Sequence, residues 1–250
     1  MLSRSKDGYG ALIDAHYRGL PSAEIIERDD GWLDVSTGAP AYFAPFDEWP
    51  VVERRAISHV HGRVLDVGCG AGRVALHLQA LGHEVVAIDT SPLAVKTCLR
   101  RGVRNARVCS ITRASPRLGE FDTIVMFGNN FGLLGNPQRA RWLLKRFHAM
   151  TSPTARIVAE TRDPYRGASA DHRRYHQLNR RRGRLPGQLR LRVCLGHAKT
   201  PWFDYLFVSP GEMRAIVAGT GWKVSRLIRT TGAIYIGVLT KAATKNTKTR

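Results

Sequence analysis

Two acidic residues and three glycines carry the chemistry that this sequence announces. Asp66 lies in the apolar run Val64-Leu65-Asp66-Val67, and Gly68, Gly70 and Gly72 follow at two-residue spacing before a helical pattern opens at Arg73. Glycine tolerates positive φ and lets a ligand lie against bare main chain. The first N–H groups of the following helix have no partner within it and face the same spot. A nucleotide-like ligand suits that arrangement. The dinucleotide fingerprint G-x-G-x-x-G would put its third glycine at position 73, which is an arginine here. Asp66, two residues before the first glycine, would repel a pyrophosphate but suits an ammonium group. Asp89 ends the next apolar run, Glu84-Val85-Val86-Ala87-Ile88. In an open parallel sheet that position lies beside the glycine loop, where a carboxylate can accept both hydroxyls of a ribose.

The elements that must position these groups alternate regularly. Strand patterns at 64–67, 84–88, 106–111, 121–127 and 156–160 are separated by helical patterns at 73–81, 92–101 and 136–150. Alternation of this kind predicts a doubly wound α/β sheet. A helix opened by Ser209-Pro210-Gly211-Glu212 and an antiparallel pair, 222–228 with 233–239, complete the pattern. Before it, apolar spacing predicts a helix over 9–18, a short helical turn over 23–28, an alternating run at 32–35, and a helix from Asp47 to about Val60 with Asp47 as cap and Pro50 in its first turn.

The segment Asp66-Val67-Gly68-Cys69-Gly70-Ala71-Gly72, with Asp89 downstream, resembles the glycine motif of class I S-adenosylmethionine-dependent methyltransferases. That resemblance implies a Rossmann-like, mostly parallel seven-stranded sheet with a terminal antiparallel hairpin across 61–240. It implies S-adenosylmethionine as cofactor, held by Asp66, Gly68, Gly70, Gly72, Asp89, Thr90, Ser110, Phe127 and Asn129. Many relatives carry an aspartate facing the adenine amino group where Cys109-Ser110 stands here, so Ser110 or a backbone N–H takes that contact. The loop Phe127-Gly128-Asn129-Asn130-Phe131 has neither the Asn/Asp-Pro-Pro-aromatic stretch of nucleic-acid amino methyltransferases nor the Pro-Cys of cytosine-C5 enzymes. Both absences argue against base-modifying chemistry on DNA.

The expected reaction is methyl transfer to an O or N atom of a small molecule. Residues 1–60 are expected to cover the cofactor and 162–208 to form an inserted cap, with Tyr42, Phe43, Asn130, Arg162, Tyr175 and Trp202 against the acceptor. His172 and His176, one helical turn apart, are the candidate bases, with His197 a third. No carboxylate completes a metal set with them, so no metal is expected.

The chain has 39 Lys and Arg against 20 Asp and Glu, a formal net charge of +19 in 250 residues. Arginines crowd between Arg162 and Arg192, where Asp163 and Asp171 are the only acids, and 241–250 reads as a basic, disordered tail. An arginine-rich cap suits a carboxylate or phosphate on the acceptor. RNA is the alternative acceptor that the charge favours, and a non-catalytic S-adenosylmethionine-binding protein is the alternative outside transferase chemistry. No apolar run is long enough for a membrane span or resembles a signal segment, which points to the cytoplasm. Four cysteines without C-x-x-C spacing read as free thiols.

Overall fold

The computed structural model describes residues 2–36 and 38–243. The chain opens with α1 (Gly8–Tyr17), β1 (Glu24–Arg28), β2 (Leu33–Ser36) and α2 (Val51–Ala56). The alternating core follows as β3 (Val64–Val67), α3 (Arg73–Ala80), β4 (Val85–Asp89), α4 (Pro92–Arg100), β5 (Ala106–Val108), β6 (Phe121–Met126), α5 (Pro137–Ala149) and β7 (Thr151–Arg162). Next come α6 (Ala170–Arg181), β8 (Gln188–Leu195), β9 (Ala198–Lys199), β10 (Phe203–Leu206) and α7 (Pro210–Val217), then β11 (Trp222–Arg229) and β12 (Ile234–Lys241).

The larger sheet has seven strands in the order β11-β12-β7-β6-β3-β4-β5. The five strands from β7 to β5 run parallel, and β12 and β11 are antiparallel at one edge. This is the doubly wound sheet with a terminal hairpin that the sequence predicts. Every residue of β3 and β4 is buried, as expected for parallel strands covered by helices on both faces. Chain order reverses between β3 and β6, so a crevice opens at the carboxyl ends of β3, β4 and β6, the switch point of an open α/β sheet. The glycine loop and Asp89 both arrive there.

Helix α7 is fixed by a reciprocal cap. The Glu212 backbone N–H donates to Ser209 Oγ at 3.3 Å, the Ser209 N–H donates to Glu212 Oε2 at 2.7 Å, and Pro210 fills the first turn. Ser209→Ala is expected to cost about 1 kcal/mol in urea unfolding, with an unchanged slope.

The second sheet was not visible in advance as one unit. Its order is β10-β8-β1-β2, with β9 on β8, so the N-terminal segment and the strands at 188–206 build it jointly. The segment expected as a helical turn at 23–28 is strand β1, which pairs with both β2 and β8. Ile25, Ile26 and a flanking Glu read equally as a helical turn, and the strand that claims them lies more than 150 residues away, at Leu191–Cys194. The helix expected from Asp47 is also shorter. Phe46–Glu48 form a 3₁₀ turn, Pro50 is extended at the cap position, and α2 gives way to a 3₁₀ turn at Ile57–His59.

At the other end β12 runs through Lys241, which pairs with Trp222, and 244–250, most of the expected tail, lies outside the described residues. Among the described residues no helix is long and apolar enough to cross a membrane.

Candidate active site

A cavity of about 540 Å³ occupies the crevice and extends beneath the second sheet. On the core side it is lined by Asp66, Gly68, Gly70, Asp89, Thr90, Ser110, Phe127 and Asn129, eight of the nine residues expected to hold the cofactor. Gly68 and Gly70 have φ of 75° and 52°. A Cβ on Gly68 would meet Asn130 Nδ2 at 2.5 Å, and one on Gly70 would meet Tyr9 Oη at 2.7 Å, so both sites demand glycine. Gly72 does not line the cavity. It caps α3 in the left-handed region, where a Cβ would strike Cys98 Sγ at 2.6 Å, so its role is packing.

The two carboxylates occupy different states. Asp89 accepts the Gly70 N–H on Oδ2 at 3.0 Å and the Ser91 N–H on Oδ1 at 2.9 Å. Burial raises its pKa, and those donors act against the rise. Asp66 Oδ2 is buried with no hydrogen-bond partner. Burial pushes the Asp66 carboxyl up to about 7, with Arg73 pulling the other way and Asp89 adding to the rise. A buried acid with an unmatched oxygen on the cavity wall fits an incoming ammonium group.

Behind Asp66 lies a charge cluster that the sequence did not reveal. Arg73 Nη1 and Nη2 each donate to a Glu53 oxygen at 2.6 Å, and the guanidinium stacks on Trp49 with its carbon 4.6 Å from the ring centre. Glu160 accepts the N–H groups of Gly128 and Asn129 at 3.2 and 3.1 Å. Burial and the neighbouring Glu53 push the Glu160 carboxyl well up, favouring its protonated form, which hydrogen-bonds Glu53. Burial also acts to raise Glu53, but the hydrogen bonds from Arg73 and Glu160 leave it below its ordinary range. This cluster fixes the loop after β6, including Asn129 at φ 64°, the only non-glycine residue with positive φ among those described. Arg73 was visible only as a departure from the dinucleotide fingerprint, and Glu53 gave no signal at all.

The expected acceptor residues divide. Tyr42 lines the cavity and donates to Glu24 Oε1 at 2.9 Å. Asn130 also lines it, but its amide donates to the Val67 and Gly68 carbonyls at 3.0 Å each, which clamps the glycine loop. The other four do not line it. Phe43 faces Arg101, His16 and Tyr17. Arg162 is exposed at the end of β7. Tyr175 is buried under Arg28 with its hydroxyl on Asp29 at 2.6 Å, and Trp202 lies under Arg192.

The candidate bases do not reach the cavity either. His172 packs on Trp32 and contacts Ser169, while His176 packs on Tyr165. Burial lowers the pKa of both. His197 is likewise absent from the cavity wall.

No arginine between 162 and 192 lines the cavity, which removes the argument for an anionic acceptor from that segment. Arg192 forms a bidentate pair with Glu27, Arg190 pairs with Asp204 and Arg182 with Asp29. Those acids lie outside the arginine-rich stretch, so the sequence showed the cations without their partners. Cavity residues that sequence reasoning missed come from the start of α1 and from the second sheet: Asp7 and Tyr9, Glu24 and Tyr205. Asp7 caps α1, accepting the Gly10 N–H, and also accepts the Ser91 hydroxyl and the Leu93 N–H, which ties the N-terminus to the loop after Asp89. A cap residue before a helical pattern was the one available signal for it.

Comparison with known proteins agrees with this geometry. A family model described as a methyltransferase domain matches residues 64–154. The chain is 38% identical over 120 residues to the 2-heptyl-1-hydroxyquinolin-4(1H)-one methyltransferase of Mycobacteroides abscessus, covering 46% of this chain and 48% of that protein. It is 43% identical over 68 residues to the ubiquinone biosynthesis O-methyltransferase of Xanthomonas euvesicatoria pv. vesicatoria, covering 25% of this chain and 28% of that protein. The chain thus spans about half the length, or less, of the curated relatives it matches. A solved SAM-dependent methyltransferase from Bacteroides fragilis, in complex with S-adenosyl-L-homocysteine, superposes with a TM-score of 0.81 at 27% identity, covering 97% of this chain and 98% of that one.

Proposed function

We propose that this chain, which belongs to the class I S-adenosylmethionine-dependent methyltransferases, transfers a methyl group to an O or N atom of a small planar molecule held beneath the second sheet. The observation that carries the acceptor class is the cavity wall. Beyond the cofactor residues it includes Tyr42, Phe203, Tyr205 and Phe207 with Ile26, Leu191 and Val193, a largely aromatic and aliphatic surface interrupted by Glu24, Arg139, Thr200 and Asp204. The relatives named for a hydroxyquinolone and for ubiquinone biosynthesis support a ring-bearing acceptor.

The cofactor supplies an electrophilic methyl already activated by the positive sulfur. The residues present fit it. Asp66, with its unmatched buried oxygen, takes the α-ammonium group; Asp89 takes the ribose hydroxyls; and the glycines leave the loop backbone open to close approach. Ser110, the cap of a 3₁₀ turn on the cavity wall, lies at the adenine end. The protein's task is alignment: the nucleophile must meet the methyl carbon on the side opposite sulfur, in a site that excludes water.

Calorimetric titration tests the reading. Because Asp66 titrates at about 7 and must be ionised to hold an ammonium, binding below that pH releases a proton. Affinity for S-adenosylmethionine is therefore expected to rise as pH increases toward 7, by up to about tenfold per unit. Asp66→Asn should bind weakly and lose that dependence. Preference for NADH, or no binding of S-adenosylmethionine, would overturn the proposal. Transfer itself is read as S-adenosylhomocysteine released with quinolone and phenol acceptors.

A further inference from the structure

Two arginines line the cavity, and they differ in what holds them. Arg73 is committed to both oxygens of Glu53. Arg139 has no such partner. Among the described residues its guanidinium makes no ion pair and one hydrogen bond, from Nη2 to the Leu133 carbonyl at 3.3 Å. Its Nε is buried with no acceptor. A guanidinium carries five N–H donors and keeps its charge throughout the range in which proteins fold, so most of this donor set is unmatched by the protein.

The place of Arg139 in the chain sharpens the point. It lies in the first turn of α5, where the helix dipole disfavours a cation. The Asn136 side chain already caps that turn, accepting the Arg139 backbone N–H at 2.9 Å, so the helix has no need of the guanidinium. Gly135 makes room for it: a Cβ there would come within 3.2 Å of Arg139 Nη1 and 3.5 Å of Asp204 Cβ. The guanidinium therefore stands against β10, whose Phe203 and Tyr205 line the cavity. Tyr205 packs edge-on against Phe203 and Phe207 at 6.1 and 5.5 Å.

The acids that share the wall are engaged elsewhere. Asp204, beside Arg139, pairs with Arg190 at 3.0 Å. Asp7 caps α1, Asp89 accepts from the glycine loop, Glu24 accepts from Tyr42, and Asp66 lies in the field of Arg73.

We infer that Arg139 anchors the acceptor through a carboxylate on its ring, and that the methyl group goes to a different O or N atom of the same molecule. The inference rests on the proposed methyl transfer and narrows the acceptor to an aromatic acid. Nη1 and the second Nη2 hydrogen form the end of the guanidinium fork, whose spacing matches the two oxygens of a carboxylate. The aromatic residues of β10 beside it take the ring. An oxygen held in charge-assisted hydrogen bonds has its lone pairs engaged and is a poor nucleophile, so the anchored group is not the methylated one.

The test uses the full chain saturated with S-adenosylhomocysteine and a matched pair of probes, 4-hydroxybenzoate and its uncharged amide, 4-hydroxybenzamide, titrated by calorimetry at neutral pH. The acid should bind at least about tenfold more tightly than the amide. Arg139→Gln should bring the two within about twofold of each other while S-adenosylhomocysteine affinity stays at the wild-type level. Arg139→Lys, which keeps the charge without the fork, should retain part of the preference. Equal affinity for the two probes in the wild-type chain, or failure of the acid to bind it, overturns the inference whether or not the variants fold. So does a preference that persists whole in Arg139→Gln, since another group would then hold the carboxylate. Loss of S-adenosylhomocysteine affinity in Arg139→Gln would assign the guanidinium to the cofactor and overturns it too. Failure of the wild-type chain to bind S-adenosylhomocysteine removes the methyltransferase reading itself.

Discussion

Asp89→Ala is expected to weaken S-adenosylmethionine binding at least about a hundredfold at neutral pH, read by calorimetric titration. Hydrogen bonds to a charged group contribute about 1.5–3 kcal/mol each, and two ribose hydroxyls on one carboxylate would lose both. The same substitution leaves the N–H groups of Gly70 and Ser91 without the acceptors they now have at 3.0 and 2.9 Å. The glycine loop and the start of α4 therefore lose their common anchor, and the apoprotein should also unfold at lower urea. Asp89→Asn separates the effects only in part. Both carboxylate oxygens accept backbone N–H groups, so an amide must turn a donor toward one of them. Its affinity should fall between those of the wild type and the alanine variant. Affinity equal to wild type in Asp89→Ala would place the ribose elsewhere.

The core sheet was legible because its strands declare themselves locally. Val64–Val67 and Val85–Asp89 are short apolar runs with helices between them, and parallel strands buried on both faces need nothing else to mark them. The cavity-lining residues at the ends of those strands, which we propose hold the cofactor, inherit that clarity, since position along a strand places a side chain at the crevice. Asp66 and Asp89 lie within β3 and β4, and Gly68 and Gly70 follow β3 directly. Gly72 shares their spacing but serves the packing of α3 against Cys98 and Val103, a role that no spacing distinguishes from ligand contact.

The second-sheet side of the cavity was illegible for the opposite reason: the pairing of β1 with β8 that builds it is distant in sequence. Strand β1 is held between β2 and β8, and Glu24 at its start lines the cavity. Tyr175 and Trp202 lie between 162 and 208, where acceptor residues were expected, but each is covered by an arginine of the second sheet, Arg28 and Arg192. His172 and His176 share a helix face, yet α6 packs that face against Trp32 and Tyr165, away from the cavity. An amphipathic pattern says which face is covered. What covers it is tertiary information.

Removal of the cation in the Glu53–Arg73–Glu160 cluster should be the most destabilising single change short of the core. Arg73→Met replaces the guanidinium that stacks on Trp49 with an apolar chain end and leaves Glu53, whose side chain is 1% exposed, buried without its bidentate partner. Breaking a buried pair by deleting one partner costs about 3–5 kcal/mol, a large share of a typical domain's stability. Urea unfolding near pH 7 should show that loss with an unchanged slope. The deficit should shrink in acid. Arg73 and Glu160 hold the Glu53 pKa below 4.5, so the stability that Glu53 contributes is present above that value and is lost as pH falls through its lower folded pKa. Glu160 works in the other direction. Its raised pKa gives stability below about 4.5 that is lost as pH climbs, so Arg73→Met should unfold with particular ease on the alkaline side. The variant should also bind S-adenosylmethionine with a pH dependence displaced upward, because Arg73 is the charge that restrains the rise at Asp66. Equal stability of Arg73→Met and wild type across this range would mean that the cluster is solvated and that Glu160 does not hold the loop after β6.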